Sequence, residues 1–224
     1  MSHISIALDG PAGVGKSTIA KALAKRLHYV YIDTGAMYRA LAVYFLEQGL
    51  AAEDEAGVCS AVEQASVSIA YQNGEQHVFL NGRDVTGQLR TEAVSAMASA
   101  TSQYQPVRTK LTGLQRELAA RENVIMDGRD IGTVVLPNAQ LKIFLTADAA
   151  VRAKRRYLQL QEQNQLDGAT LESIEAEMQE RDYRDAHRAN APLAKAEDAV
   201  LVDSSHCTAE EVETQILALL AERT

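Results

Sequence analysis

ISIALDGPAGVGKSTIAKALAKRLH, residues 4–28, is where the chain declares its architecture. Residues 4–9 form a short apolar run rich in β-branched side chains that stops at Gly10-Pro11, the pattern of a buried strand running into a loop. Apolar residues return at helical spacing over 17–28. Between the two runs, Gly10, Pro11, Ala12, Gly13, Val14, Gly15, Lys16 and Ser17 fit G-x-x-x-x-G-K-[ST]. Such glycines let the backbone bend tightly and turn successive N–H groups inward onto a phosphate. Lys16 then reaches the β- and γ-phosphates, the Ser17 hydroxyl can ligate Mg²⁺, and the following helix adds its positive N-terminal end. A bound nucleoside triphosphate is the expectation.

Outward from this unit, residues 29–33 read as a second strand and 34–49 as a helix stopped by Gly49. The texture changes at Ser66. Two alternating runs flank Asn73-Gly74, and a second Asn-Gly follows at 81–82, so 66–90 reads as a small antiparallel insert. Helical patterns follow at 91–103 and 105–121, buried strands at 123–127 and 141–147, and helices at 148–163 and 170–188. A last strand at 199–204 and a helix at 208–222 complete the chain. Strands alternating with helices imply an α/β fold with a mostly parallel sheet covered on both faces.

The 224 residues suffice for one α/β domain with an embellishment or for two small domains. A net charge of −8, no Trp and 5% aromatic residues argue against binding to polymeric nucleic acid. Cys59 and Cys207 lie far apart and suggest neither a zinc site nor a disulfide framework. No apolar run approaches the roughly 18 residues that span a membrane. The first residues, MSHISIALDG, lack the basic and apolar regions of a signal peptide, so a cytoplasmic protein is expected. The 15 arginines outnumber the 7 lysines, a weak sign of anion handling, since the guanidinium fork suits bidentate contacts to phosphate.

A phosphate-binding loop serves switches, motors and small-molecule kinases alike. The N-K-x-D string of guanine-specific switches and the H-R-D loop of protein kinases are both absent from the sequence. The remaining expectation is an enzyme with a second, acceptor molecule. DTGAMYR (33–39) follows the second strand, and DGRD (127–130) ends the third, where open α/β sheets place their ligands. Asp127 is there a candidate to organise Mg²⁺, whereas the look-alike NGRD (81–84) belongs to a hairpin turn. In ERDYRDAHR (180–188), Arg181, Arg184 and Arg188 share a helical face, with Asp185 within reach of Arg181 and Arg188. Arg152, Arg155 and Arg156 form a second basic group. Surface decoration is the ordinary reading of a charge run. Two arginine clusters in a chain with a phosphate loop favour a closing lid around transferring phosphates.

GPAGVGKST, DTGAMYRALA, TEAVSAMAS with PVR, DGRDIGTVV and ERDYRDAHRANAPL, in that order and over essentially the full length, resemble bacterial cytidylate (CMP) kinases. The resemblance implies a nucleoside-monophosphate-kinase-like phosphate-loop fold and transfer from ATP to CMP or dCMP with Mg²⁺. It implies a core of about 1–60, 91–150 and 189–224, a monophosphate-binding insert of about 61–90 and an arginine-rich lid of about 151–188. Thr34, Arg39, Ser99, Arg108, Arg129, Asp130, Arg181, Asp185 and Arg188 match the family's monophosphate-site positions, and residues 10–18 its ATP loop. Lys16, Arg129, Arg188 and Asp130 are the expected catalytic group, and Arg152, Arg155 and Arg156 the expected lid contacts to ATP. Whether Ser17 or Thr18 serves the metal stays open. A monomer without membrane or polymeric nucleic-acid partners is expected. A kinase for another monophosphate such as UMP, or for a small metabolite, is the alternative, and a nucleotide-dependent regulatory module the more distant one.

Overall fold

The computed structural model describes residues 3–72 and 74–223. Along the chain these form β1 (Ser5–Asp9), α1 (Lys16–Leu27), β2 (Val30–Asp33), α2 (Thr34–Glu47), α3 (Glu55–Gln64), β3 (Val67–Gln72), β4 (Glu75–Leu80) and β5 (Arg83–Asp84). Then follow α4 (Glu92–Thr101), α5 (Gln105–Ala119), β6 (Val124–Gly128), β7 (Leu141–Thr146), α6 (Ala149–Glu162), α7 (Leu171–His187), β8 (Val200–Asp203) and α8 (Ala209–Ala221). Five strands make a parallel sheet in the order β2-β6-β1-β7-β8, and β3-β4-β5 form a separate antiparallel sheet.

Strand register sets up the functional end of the molecule. Asp127 on β6 lies opposite both Leu8 on β1 and Asp33 on β2, and Asp9 lies opposite Gly128. The three strands therefore finish level, and the loops leaving them open side by side at the carboxyl edge of the sheet. Both faces are covered, as a parallel sheet requires. On β6, Val124 and Met126 join a core with Met37, Leu41, Phe45 and Leu111, while Ile125 faces the opposite core with Ile6, Leu8, Leu23 and Ile216. This alternation is the two-residue period of a strand.

The phosphate loop needs its glycines for geometric reasons. Gly10 has φ 149°, and a Cβ there would meet the Leu145 carbonyl oxygen at 2.1 Å. Gly15 precedes α1 with φ 93° and gives no side-chain cap, so the first N–H groups of that helix have no side-chain acceptor at the cap position.

The insert is a hairpin fastened to the main sheet. Tyr71 Oη donates to the Tyr31 carbonyl at 2.7 Å, and the Gln76 side chain brackets Asp33 by accepting from its N–H (2.9 Å) and donating to its carbonyl (3.3 Å). At the second Asn-Gly, Asn81 (φ 50°) and Gly82 (φ 80°) both adopt the left-handed region, as a tight two-residue hairpin turn demands. Asn81-Gly82 of NGRD thus make the turn and Arg83-Asp84 form β5, with Arg83 paired to Glu47 at the surface. At the first Asn-Gly, Asn73 lies outside the described residues.

The sequence does not signal α3 or the turn after β6. The helix α3 has small residues and only Val58 and Val62 buried, so its apolar stripe is faint in sequence. After β6, residues Ile131–Val135 form a short π-helical turn, a form with no periodic signature of its own. Among the described residues, no helix is long and apolar enough to cross a membrane.

Candidate active site

Lys16 is buried within the loop it follows, its Nζ donating to the carbonyl oxygens of Gly10 (2.8 Å) and Pro11 (2.7 Å). Burial, and then the neighbouring Arg129, push this ammonium well below the usual lysine value, with Asp127 and Asp9 opposing. A phosphate anion arriving here would satisfy a cation that otherwise has only neutral carbonyls as hydrogen-bond partners. Ser17 Oγ donates to Asp127 Oδ2 at 2.7 Å, and Tyr31 Oη approaches Oδ1 of the same carboxylate at 3.3 Å. Burial, reinforced by Asp33, raises the Asp127 carboxyl above the ordinary aspartate value. A hydroxyl and a carboxylate beside a phosphate loop are hard oxygen donors of the kind Mg²⁺ takes. Thr34 is buried, and its hydroxyl donates to the Asp127 carbonyl at 2.7 Å, locking the start of α2 to the end of β6.

Arginines from four elements gather at the same edge. Arg129, just after β6, donates through Nε to Asp185 Oδ2 on α7 at 2.8 Å. Buried Asp130 accepts from Arg108 on α5 at one oxygen and from Arg188 at the other, at 3.2 Å. Ser102 braces both arginines, its carbonyl accepting from Arg108 (3.2 Å) and its hydroxyl from Arg188 (3.3 Å). Ser99, one turn earlier on half-buried helix surface, takes the Ser102 hydroxyl on its carbonyl at 2.8 Å. Arg39 on α2 pairs with Asp33 at 3.1 Å. The Nε atoms of Arg39 and Arg181 are buried without a hydrogen-bond partner. Burial lowers the Arg181 guanidinium to about 10, with Arg129 adding to the effect. Lys16 in turn feels both Arg129 and Arg181, so the loop lysine and these arginines share one electrostatic neighbourhood.

The pairing of Asp185 corrects the sequence expectation. Its hydrogen-bonded cation is Arg129, from another element, rather than Arg181 or Arg188 on its own helix. Arg188 lies at the C-cap of α7 with extended backbone (ψ 142°), off the helical face, and reaches Asp130 instead. Exposed pairs along one helix contribute little, whereas buried charges need partners wherever the fold brings them. Arg184 remains outside the group, exposed and 3.8 Å from Glu180.

Of the second basic group, Arg152 is buried and tied down. It donates to the carbonyls of Ala147 (3.0 Å) and Ala12 (2.9 Å) and to Asp182 (2.5 Å). Arg155 holds Ser204 at the end of β8, through its carbonyl at 2.6 Å. Arg156 is exposed on α6, hydrogen-bonded to Gln159 and close enough to Arg90 for their charges to repel. Among the three, Arg152 is the one bonded to the phosphate loop.

Sequence reasoning missed Asp182, which accepts from the Ala12 N–H at 3.2 Å while pairing with Arg152. It lies inside the arginine-rich stretch, so its signal was present but indistinct from the surrounding charges. Asp33 and Asp9 were also passed over. Each closes a strand, Asp33 capping α2 through the Ala36 N–H at 2.8 Å. An acid ending a buried strand was the available cue.

A parallel sheet with a glycine-bent phosphate loop after its central strand, faced by buried arginines, defines the phosphate-loop kinase class. Solved structures of like fold include a shikimate kinase from Bacteroides thetaiotaomicron, 14% identical with a TM-score of 0.50 over 97% of this chain and 98% of that one. An uncharacterized protein from Eubacterium ventriosum is 15% identical, with a TM-score of 0.53 over 99% and 100% of the two chains. At such identities the likeness concerns the fold alone. The sequence profile of cytidylate kinase matches residues 6–222. The cytidylate kinase of Caldicellulosiruptor saccharolyticus is 47% identical, over 98% of this chain and 96% of its own. That of Carboxydothermus hydrogenoformans is 46% identical over 97% of each, and that of Lactobacillus johnsonii 42% over 98% and 95%. The chain belongs to the cytidylate kinase family and is a kinase.

Proposed function

We propose that the protein transfers the γ-phosphoryl group of ATP to CMP and dCMP, yielding ADP with CDP or dCDP. The observation that carries this reading is the buried Asp130, clasped by Arg108 and Arg188 on the same sheet edge as Lys16. Cytosine offers an amino donor beside the N3 and O2 acceptors. Asp130 accepts from the amino group, and Arg108 and Ser99 donate to the acceptors. Uracil presents an acceptor where cytosine has its donor, which sets oxygen against carboxylate. Sites built on such polar contacts discriminate strongly, because a mismatched partner leaves buried groups unpaired.

Arg39, Arg129 and Arg188 hold the acceptor phosphate, which supplies the anion that the unpartnered Arg39 Nε lacks. Asp185 accepts from the ribose hydroxyls, with Arg181 beside it. Residues 10–18 cradle the ATP phosphates, and Lys16 spans their β- and γ-groups. Mg²⁺, held by Ser17 or Thr18 and backed by Asp127, would neutralise charge on the transferring phosphoryl group. The attacking phosphate oxygen has a second pKa near 6 and is already ionised at pH 7, so no general base is required. Rate then comes from alignment and charge neutralisation. In the same reading residues 61–90 receive the monophosphate and residues 151–188 act as a lid that excludes water, with Arg152, Arg155 and Arg156 toward ATP. A cytoplasmic, monomeric enzyme without membrane or polymeric nucleic-acid partners completes the proposal.

The test is a coupled ADP-release assay across CMP, dCMP, UMP, AMP and GMP. CMP or dCMP should give the highest kcat/KM, with UMP lower by about two orders of magnitude. Fastest turnover on AMP or GMP would overturn the cytosine assignment.

A further inference from the structure

Asp9 is the last residue of β1, 4% exposed, and immediately precedes the phosphate loop. Both oxygens of its carboxylate are bonded outside the loop it precedes. Oδ1 accepts from the Ile131 N–H at 2.8 Å, and Oδ2 from the Gly132 N–H at 2.7 Å. These are the first two N–H groups of the π-helical turn, and they follow Arg129 and Asp130 directly. The opposite end of that turn is held as well, since Arg116 on α5 donates to the carbonyls of Val134 (2.7 Å) and Val135 (3.0 Å). The turn closes on itself through the Asp130 carbonyl, which accepts from Val134 (2.9 Å) and Val135 (3.2 Å). Asp130 thus sits at a backbone corner (φ −144°, ψ 25°) fixed on one side by β6 and on the other by Asp9.

From this arrangement we propose that Asp9 is a positioning residue for acceptor recognition, aiming Asp130 and Arg129 through the two N–H groups it accepts. The inference rests on the acceptor reading given above. A buried carboxylate is a costly way to satisfy two backbone donors when a neutral side chain would serve one of them more cheaply. Burial pushes the Asp9 carboxyl up to about 6, with Asp130 opposing ionisation and Lys16 favouring it. What the carboxylate supplies, and a neutral amide does not, is two equivalent acceptors at once. Asp9→Asn keeps one acceptor and turns an NH₂ toward the other N–H. Two donors then face each other, and the turn shifts to relieve them. A displacement of tenths of an ångström at Asp130 is felt at the base that it reads, whereas the ATP loop keeps its bonds to Lys16, Arg152 and Asp182.

The experiment measures kcat and KM for CMP, UMP and ATP in the wild type, in Asp9→Asn and in Gly132→Ala. In Gly132→Ala the added methyl would lie 3.4 Å from Asp9 Oδ2 and 3.1 Å from Lys142 Cδ, pressing on the same bond from the other end. Asp9→Asn is expected to raise the CMP KM about tenfold and to lower the CMP-to-UMP ratio of kcat/KM by a similar factor, with the ATP KM within about twofold. Gly132→Ala should move the same quantities in the same direction by less, and it decides the matter if the Asn variant does not fold. Equal rises in both KM values, or a fall in kcat with both KM values unchanged, would mark Asp9 as merely structural and overturn the proposal. If the wild type prefers another monophosphate, the cytosine reading falls, and the split between acceptor and donor KM still decides the role of Asp9.

Discussion

In the proposed reading, two groups of residues meet the same problem, holding phosphate, with opposite construction. On the donor side one short segment, residues 10–18, relies on backbone N–H groups and on a buried ammonium whose hydrogen bonds all go to neutral carbonyls. On the acceptor side, α2, α5, the turn after β6, and α7 with its C-cap each contribute a guanidinium, and four of the five meet a carboxylate. The acceptor arginines are therefore largely compensated and oriented before any ligand arrives, which lowers the ordering cost of binding. In the same reading Lys16 is left for the ATP phosphates to compensate. The donor side should therefore be the more sensitive in rate, and the acceptor side in affinity and discrimination.

The largest expected effect lies on the donor side. Lys16→Met should lower kcat by about three orders of magnitude, as losing a charge aimed at the transferring phosphoryl group implies. Its thermal midpoint without nucleotide should hold or rise, because a buried cation has gone. A midpoint drop of many degrees would instead make Lys16 part of the apo scaffold.

Next comes Asp185, the sugar contact of the proposed reading. Asp185→Ala should raise the CMP KM by one to two orders of magnitude, both through the lost ribose acceptor and through Arg129 losing its 2.8 Å partner. The ATP KM should move by less than about threefold. Equal weakening of both substrates would erase the distinction between the halves.

A smaller, opposite effect is expected on stability. Burial raises the Asp127 carboxyl above its unfolded value. The folded state is therefore favoured while this group is protonated, and that advantage is lost as pH rises through the folded-state pKa. At pH 8 the ionised carboxylate costs stability, so Asp127→Asn should raise the ligand-free midpoint by about 3–6 °C, a gain that shrinks toward pH 4. The same variant should lose activity. Melting curves at the two pH values, without nucleotide or metal, are the check, and a lower midpoint at pH 8 would contradict it.

The smallest effect is expected at Arg184, exposed and loosely paired with Glu180. Arg184→Ala should leave every kinetic constant within about twofold and stability within about 0.5 kcal/mol. A loss of CMP affinity there would bring the whole of 180–188 back as one clamp.

The same contrast explains what could be read before the structure. The strand, loop and helix of residues 4–28 are legible from periodicity and glycine spacing, because the signals that mark them are local even though Leu145, Arg152 and Asp182 pack against or bond to the loop from far along the chain. The parallel sheet followed from strands alternating with helices, and the insert from its Asn-Gly turns. On the acceptor side the residue types were legible and their partners were not. Asp185 was expected to serve its own helix, and the fold gives it Arg129 instead, 56 positions away. Arg152 read as one of three equivalent basic residues, yet it alone of the three holds the Ala12 carbonyl and Asp182. Such choices depend on which side chains meet at the ends of β1, β2 and β6, and no local pattern encodes that. Asp9 shows the limit most plainly, since its two partners lie over 120 positions downstream.

The most direct test of the account is the binding of cytidine joined to adenosine through five phosphates, followed by titration calorimetry. If both phosphate sites face each other in line, this molecule should bind one per chain and at least about a hundredfold more tightly than ATP or CMP alone, and either Lys16→Met or Asp185→Ala should remove much of that gain. Affinity no better than that of ATP alone would show that the two halves do not form one continuous cleft.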